Sequence, residues 1–307
     1  MEGFRRESSV AEGVWAFYRA GRVRVSPGME RNFMTFRRAL ITFALCSGLP
    51  SIALAQEARQ VEVGYAITYL GFTGFRINLT ARFSDQRYDV ESHTFKEGLI
   101  KAVTINYDGR NRAWGGVTAK GARPAGGSLS IMVGDKPRSW LALYGPDGAL
   151  QEKHEPAWTP PPDKAIPEDK RRGSLDPLSA AIQASMTGDA VCDRTIPSND
   201  GKRRIDVVLT KIGTESAATA DVPGAKGDLL ICSVYTRRVA GEFDDAPKEA
   251  ESKRERPMKL WFARLDNTPF RYPVKLEAET GFGTIYGKTL FFRERPLTED
   301  EKIALRR

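Results

Sequence analysis

From Val61 onward the chain alternates apolar and polar residues in short runs with a period of two. VEVGYAITY (61–69) does so in part, FRINLTARF (75–83) cleanly, and YDVESHTF ends the same pattern at Phe95. A period of two with β-branched and aromatic enrichment predicts half-buried strands, and the separators LGFTG and SDQR (84–87) supply turn chemistry. Three strands in a meander are expected here. GLIKAVTINYDG is ambiguous, a short helical turn and then a strand, with Asp108-Gly109 as its hairpin signal and NRAWGGVTAKG returning as the partner. GSLSIMV (127–133), the turn GDKP, RSWLALY (138–144) and the turn GPDG predict two more strands, with a third starting at Ala149.

The pattern then changes. Residues 156–173, PAWTPPPDKAIPEDKRRG, are rich in Pro and charge and predict an extended connector over the surface between two β-rich halves. SLDPLSAAIQASMTGD follows with the one clear helical period. Asp176 suits an N-cap, Pro177 the first helical position, and Leu178, Ile182 and Met186 share one face, so a helix is predicted over Pro177–Thr187. Its apolar stripe requires a partner, which predicts packing across the sheet or plugging of a half-open barrel.

Strand signals resume in VCDRTIP, in RRIDVVLTKI (203–212) after the turn SNDG, and in DLLICSVYTRRV (228–239). Residues 241–257 form a charged stretch of low hydrophobicity, which need not be ordered. MKLWFARLD, PFRYPVKLEAET and GTIYGKTLFF add three strands, and Thr298 with Glu301 makes a capping pattern for a terminal helix. About ten to twelve strands with one main helix predict a mainly all-β fold, a strongly curled antiparallel sheet or incomplete barrel with one packed amphipathic helix.

Charge and hydropathy at the amino terminus set the compartment. Met34–Ala55, MTFRRALITFALCSGLPSIALA, has a basic start at Arg37 and Arg38, a short apolar run broken by Gly48 and Pro50, and Ala53-Leu54-Ala55 before Gln56. That is the layout of a cleaved signal peptide, too short and too interrupted for a membrane anchor. Cleavage is expected after Ala55, giving a periplasmic domain over 56–307. Lipidation at Cys46 is disfavoured because Leu45 stands where a lipoprotein signal needs a small residue. Residues 1–33 fit neither a signal nor a domain, so they are expected to be a non-native upstream extension, with translation starting at Met29 or Met34 instead of Met1. Half of the net charge of +8 lies within the first 55 residues, where eight Arg oppose four Glu. The domain that remains is too weakly basic for nucleic acid to be an expected partner, and membrane contact is peripheral at most.

Export gives the cysteines their meaning. After cleavage Cys192 and Cys232 are the pair that remains, and in an oxidising compartment an even pair is most simply a disulfide. A reactive thiolate at Cys192, aided by Arg194, would need a positioned base, and no His follows it. The Asp193-Arg194-Thr195 cluster is therefore expected to order a hairpin.

Several stretches carry a family resemblance. GSLDPLSAAI, CDRTIPSNDGKRRIDVVLT, LLICSVYTRRVAGEF and PMKLWFARLDNTPFRYPVKLEAETGFGTIYGKT, in that order, resemble exported bacterial proteins of the uncharacterised domain-of-unknown-function 3108 family. YAITYLGFTGFRINLTARFSDQRYDVESHTFKEGL looks like that family's opening strands. The resemblance implies an exported, β-rich protein and leaves the activity open.

No catalytic motif answers a search of the sequence. The two histidines, His93 and His154, do not form a metal-ligand motif, and G-x-S-x-G, P-loop and H-E-x-x-H patterns are absent, so neither a metal nor a cofactor is expected. Asp89 and Glu91 lie two apart on one strand face, where a solvated charged surface is the plainer reading than an acid and base pair. The expected function is noncatalytic: a curved sheet holding a lipid, lipoprotein or peptide segment in an apolar groove, with Phe72, Phe75, Trp140, Trp261 and Phe262 as lining or core residues. The alternative is an envelope hydrolase or transferase using carboxylates that one sequence does not reveal.

Overall fold

The computed structural model describes residues 58–98, 106–118, 121–242 and 257–306, apart from 267, 269 and 282. The expected upstream extension, signal peptide and cleavage site lie outside the described residues, as does most of the charged stretch 241–257.

Thirteen strands form one antiparallel sheet: β1 (Arg59–Tyr69), β2 (Phe72–Phe83), β3 (Arg87–Lys96), β4 (Tyr107–Thr118), β5 (Gly121–Val133), β6 (Lys136–Tyr144), β7 (Leu150–Glu155), β8 (Arg194–Asn199), β9 (Arg203–Ser216), β10 (Asp228–Gly241), β11 (Met258–Arg264), β12 (Arg271–Thr280) and β13 (Gly283–Pro296). Strands adjacent in sequence pair in space except β7 and β8, and one further pairing joins the two ends of the chain. β1 pairs with β13, so the first and last strands meet in the middle of the sheet, and β7 and β8 are its two edges. The two predicted β-rich halves are thus one continuous sheet, joined by a pairing of strands more than two hundred residues apart that local pattern cannot announce.

Other expectations need correction. Asp108 and Gly109 do not turn the chain: β4 runs straight through them, and both residues pair with β3 and β5. The connector is not fully extended, since it contains a 3-10 turn at Pro162–Lys164 and a short helix α1 at Glu168–Arg171. The main helix α2 spans Pro177–Ser185, with Met186 as its C-cap, slightly shorter than the periodicity indicates. A short helix α3 (Ala217–Ala220) was not legible, and α4 (Glu299–Arg306) ends the described chain. At α4 the predicted capping box is present: the Thr298 amide donates to Glu301 Oε2 at 2.9 Å and the Glu301 amide donates to Thr298 Oγ1 at 3.3 Å.

α2 sits on the concave face. Asp176 caps it, accepting from the amides of Leu178 at 3.1 Å and Ser179 at 2.9 Å. Leu178, Ile182 and Met186 pack among Val61, Val63, Ala81, Phe83, Tyr88, Val90 and Ala113. Ala180 and Ala184, on the other flank, join the core around the disulfide with Ile196, Leu209, Leu230 and Phe262. One helix therefore ties the two arms of the curled sheet together, and its small residues let the second arm approach closely.

The disulfide links Cys192 to Cys232 with Cα atoms 5.6 Å apart, inside the range such a bridge requires. Cys232 lies on β10, but Cys192 lies in a bend before β8 and not within a strand. The bridge spans β9, which separates β8 from β10.

Candidate functional site

The inward face follows from the register. Cross-strand partners share a face, and the α2 core marks the inner one through Val61, Val63, Ala81 and Val90. Continuing along the same parity, β1 presents Tyr65 and Ile67 inward, paired with Ile77 and Phe75 of β2. β4 adds Tyr107, β5 adds Leu129 and Ile131, β12 adds Leu276, and β13 adds Ile285. The side chains of Ile67 and Leu276 approach each other over Gly287, where an added Cβ would lie 3.2 Å and 3.1 Å from them. Phe75 and Tyr107 meet edge to face with ring centres 5.7 Å apart.

These residues differ from the α2 core in one respect. α2 occupies only the end of the curl at which β1 begins, so Val63, Tyr88, Val90 and Ala113 there are buried. At the other end, which carries the β1–β2, β5–β6 and β12–β13 turns, Ile67, Phe75, Ile77, Tyr107, Ile131, Leu276 and Ile285 remain half-buried. Among the described residues no helix covers them. Polar residues interrupt the lining on β3 and β4, where Asn111 Nδ2 donates to Ser92 Oγ at 3.2 Å, Thr94 faces the same way, and Lys96, the cross-strand partner of Phe75, is buried on that face. The result is an apolar, partly open half of a curled sheet with a few polar groups, the chemistry of a site for an apolar chain.

The two edges of the sheet also meet. No backbone ladder joins β7 to β8, but side chains do. Glu152 Oε1 accepts from Trp140 Nε1 at 3.0 Å and from Asn199 Nδ2 at 3.3 Å, and Arg171 Nη1 lies 3.4 Å from Glu152 Oε2. Burial pushes the Glu152 carboxyl above its ordinary range despite the Arg171 charge. His154, two residues on, packs against Trp158 with ring centres 5.2 Å apart. Burial and the nearby Lys202 charge depress its pKa. Lys202 itself lies 4.5 Å from the Trp158 ring centre.

The residues proposed from sequence do not converge. Phe75 lines the open half and Phe72 stands at its rim, exposed. Trp140 is buried against Ala142 and Leu150. Trp261 and Phe262 are neighbours on β11 and so point to opposite faces: Phe262 joins the disulfide core, while Trp261 faces outward under α3 and donates to Glu215 Oε2 at 2.6 Å. Only part of that aromatic set belongs to one surface. The aliphatic lining, Ile67, Ile77, Ile131, Leu276 and Ile285, was missed because aromatics were favoured over strand parity, a signal the alternation did carry.

The charged candidates lie outside. Asp89 and Glu91 share the outer face of β3, where Arg112 Nη2 is 2.6 Å from Asp89 Oδ2 and Arg82 Nη1 is 3.6 Å from Glu91 Oε1. His93, on the same face, meets Asp108 Oδ2 at 2.6 Å. Beside the disulfide, Asp193 adopts φ +64° and its carboxylate accepts from the Lys211 amide at 3.0 Å, while Arg194 Nε donates to the Ala190 carbonyl at 2.7 Å. Both charges are spent on backbone, and the sulfurs on each other. Among the described residues no group of three or more His, Cys, Asp or Glu is placed to hold a metal ion, and no helix is long and apolar enough to cross a membrane.

Comparison with known proteins gives a family. A solved beta-barrel-like protein of domain of unknown function DUF1849 from Brucella abortus is similar over 78% of this chain and 98% of its own, with 12% identity and a TM-score of 0.43. No curated protein matches the sequence. The model of the family described as protein of unknown function (DUF3108) matches residues 61–289, from β1 into β13, and the chain belongs to that family.

Proposed function

We propose that this is a noncatalytic, exported envelope protein that holds the acyl chain of a lipid or lipoprotein in the open half of its curled sheet. The observation that carries this reading is the unequal filling of the interior. α2 fully buries Val61, Val63, Ala81, Tyr88, Val90 and Ala113 at one end, with Leu79, Leu178, Ile182 and Met186 half-buried around them, whereas at the other end Ile67, Phe75, Ile77, Tyr107, Ile131, Leu276 and Ile285 are all half-buried and no helix among the described residues covers them. A folding domain gains by burying such a surface, and leaving it partly open is the usual mark of a binding site. The disulfide supports an oxidising compartment, and the signal-like segment Met34–Ala55 supports export.

The test is direct. Protein purified without detergent is extracted with organic solvent and the extract analysed by mass spectrometry. Near-stoichiometric lipid is the expected result. Protein that carries no lipid and takes up no soluble fatty acid would refute the proposal.

A further inference from the structure

The tip of the β1–β2 hairpin is built against the usual preferences of a tight turn. Leu70 and Gly71 form its two central residues, with φ of +50° and +82°. Two-residue turns of this kind favour Asn-Gly, because Asn tolerates a positive φ and a large aliphatic side chain does not. Leu70 is nonetheless 63% exposed and Phe72 62% exposed. Neither local strain nor solvation accounts for them, so folding alone does not explain their presence.

The β12–β13 turn is its neighbour. Gly283 at the start of β13 lies beside the tip, with Leu70 Cδ2 3.1 Å from where a Cβ on Gly283 would be. No charged residue occurs between Val63 and Phe75, nor between Thr280 and Gly287. Nothing lies within 4 Å of the Cβ position of Gly71, so the tip projects into open space. This uncharged apolar projection is continuous with the site interior, since Ile67 and Phe75 pair one step further down the same hairpin.

We infer that Leu70 and Phe72 form a rim that inserts into the surface of a lipid bilayer, placing the open half of the sheet where an acyl chain passes between membrane and protein. The inference rests on the acyl-chain reading above. A bilayer is the occupant that matches a projecting, charge-free tip: hydrocarbon accepts Leu and Phe and rejects charge. Insertion of this kind is hydrophobic and persists at high salt.

The experiment compares the full chain with the double variant Leu70→Asn, Phe72→Ser in sedimentation with phosphatidylethanolamine–phosphatidylglycerol vesicles, so that the segment Met34–Ala55 contributes equally to both. The variant is expected to partition less by at least about tenfold, the equivalent of one buried Leu side chain. Its melting temperature is expected to be unchanged or higher, since Asn suits the turn. Uptake of a soluble fluorescent fatty acid is expected to survive in the variant, which separates the rim from the interior. Equal partitioning of parent and variant would overturn the inference, as would a difference that disappears at high salt. Loss of fatty acid uptake in the parent would instead refute the acyl-chain reading.

Discussion

Asn199 Nδ2 donates to Glu152 Oε1 at 3.3 Å, across the one gap in the sheet where strands are neighbours without a ladder. Glu152 is the shared acceptor of that seam, also taking Trp140 and facing Arg171. Glu152→Ala leaves these donors without their acceptor and is expected to lower stability by about 1–3 kcal/mol. Glu152→Gln keeps one acceptor oxygen and is expected to lose less. Urea unfolding of the two variants measures the difference, and an alanine variant as stable as the parent would mean that the seam is held by other contacts.

Asp176 links pH to the placement of α2. Burial pushes its carboxyl above the ordinary range, although it accepts from Ser179, Leu178 and Tyr144. A carboxyl whose pKa is higher in the folded state keeps its proton there while the unfolded chain releases it. Stability from this group therefore falls as pH rises from the unfolded value through the folded one, and is level on either side. Asp176→Asn is expected to remove this slope and retain the cap, whereas Asp176→Ala loses the cap at a cost of about 1 kcal/mol. Thermal melts across the acidic range check both, and a parallel slope in the Asn variant would assign it to another group.

Cys192→Ala with Cys232→Ala removes a crosslink between residues 40 apart in sequence. The chain-entropy argument sets the loss at about 4 kcal/mol as an upper figure. Melting under reducing and non-reducing conditions should show a large difference in the parent and none in the double variant. Stoichiometric labelling of Cys192 by a thiol reagent in native oxidised protein would contradict the bridge.

Period-two alternation carried most of the strands, and Asp176, Pro177 and the stripe Leu178, Ile182, Met186 carried the helix, because these signals are local. The Asp108-Gly109 signal misled since both residues are held by neighbours on each side: β3 and β5 override turn preference within β4. The meeting of β1 with β13 is a tertiary choice with no local code. For the site, parity along each strand was available, but the inner face becomes identifiable only once α2 is seated, and its depth in the curl decides which apolar residues stay open.

Binding by the open half is tested most directly by photocrosslinking a diazirine fatty acid to the purified protein and mapping the adducts by peptide mass spectrometry. Adducts are predicted on the inward residues at the turn end, Ile67, Phe75, Ile77, Tyr107, Ile131, Leu276 and Ile285, and Ile77→Lys should abolish them without unfolding the sheet, because that side chain is half-buried and its head can reach water. Adducts confined to the outer face, at Asp89, His93 or Trp261, or labelling that Ile77→Lys leaves unchanged, would contradict an acyl-chain site inside the curl.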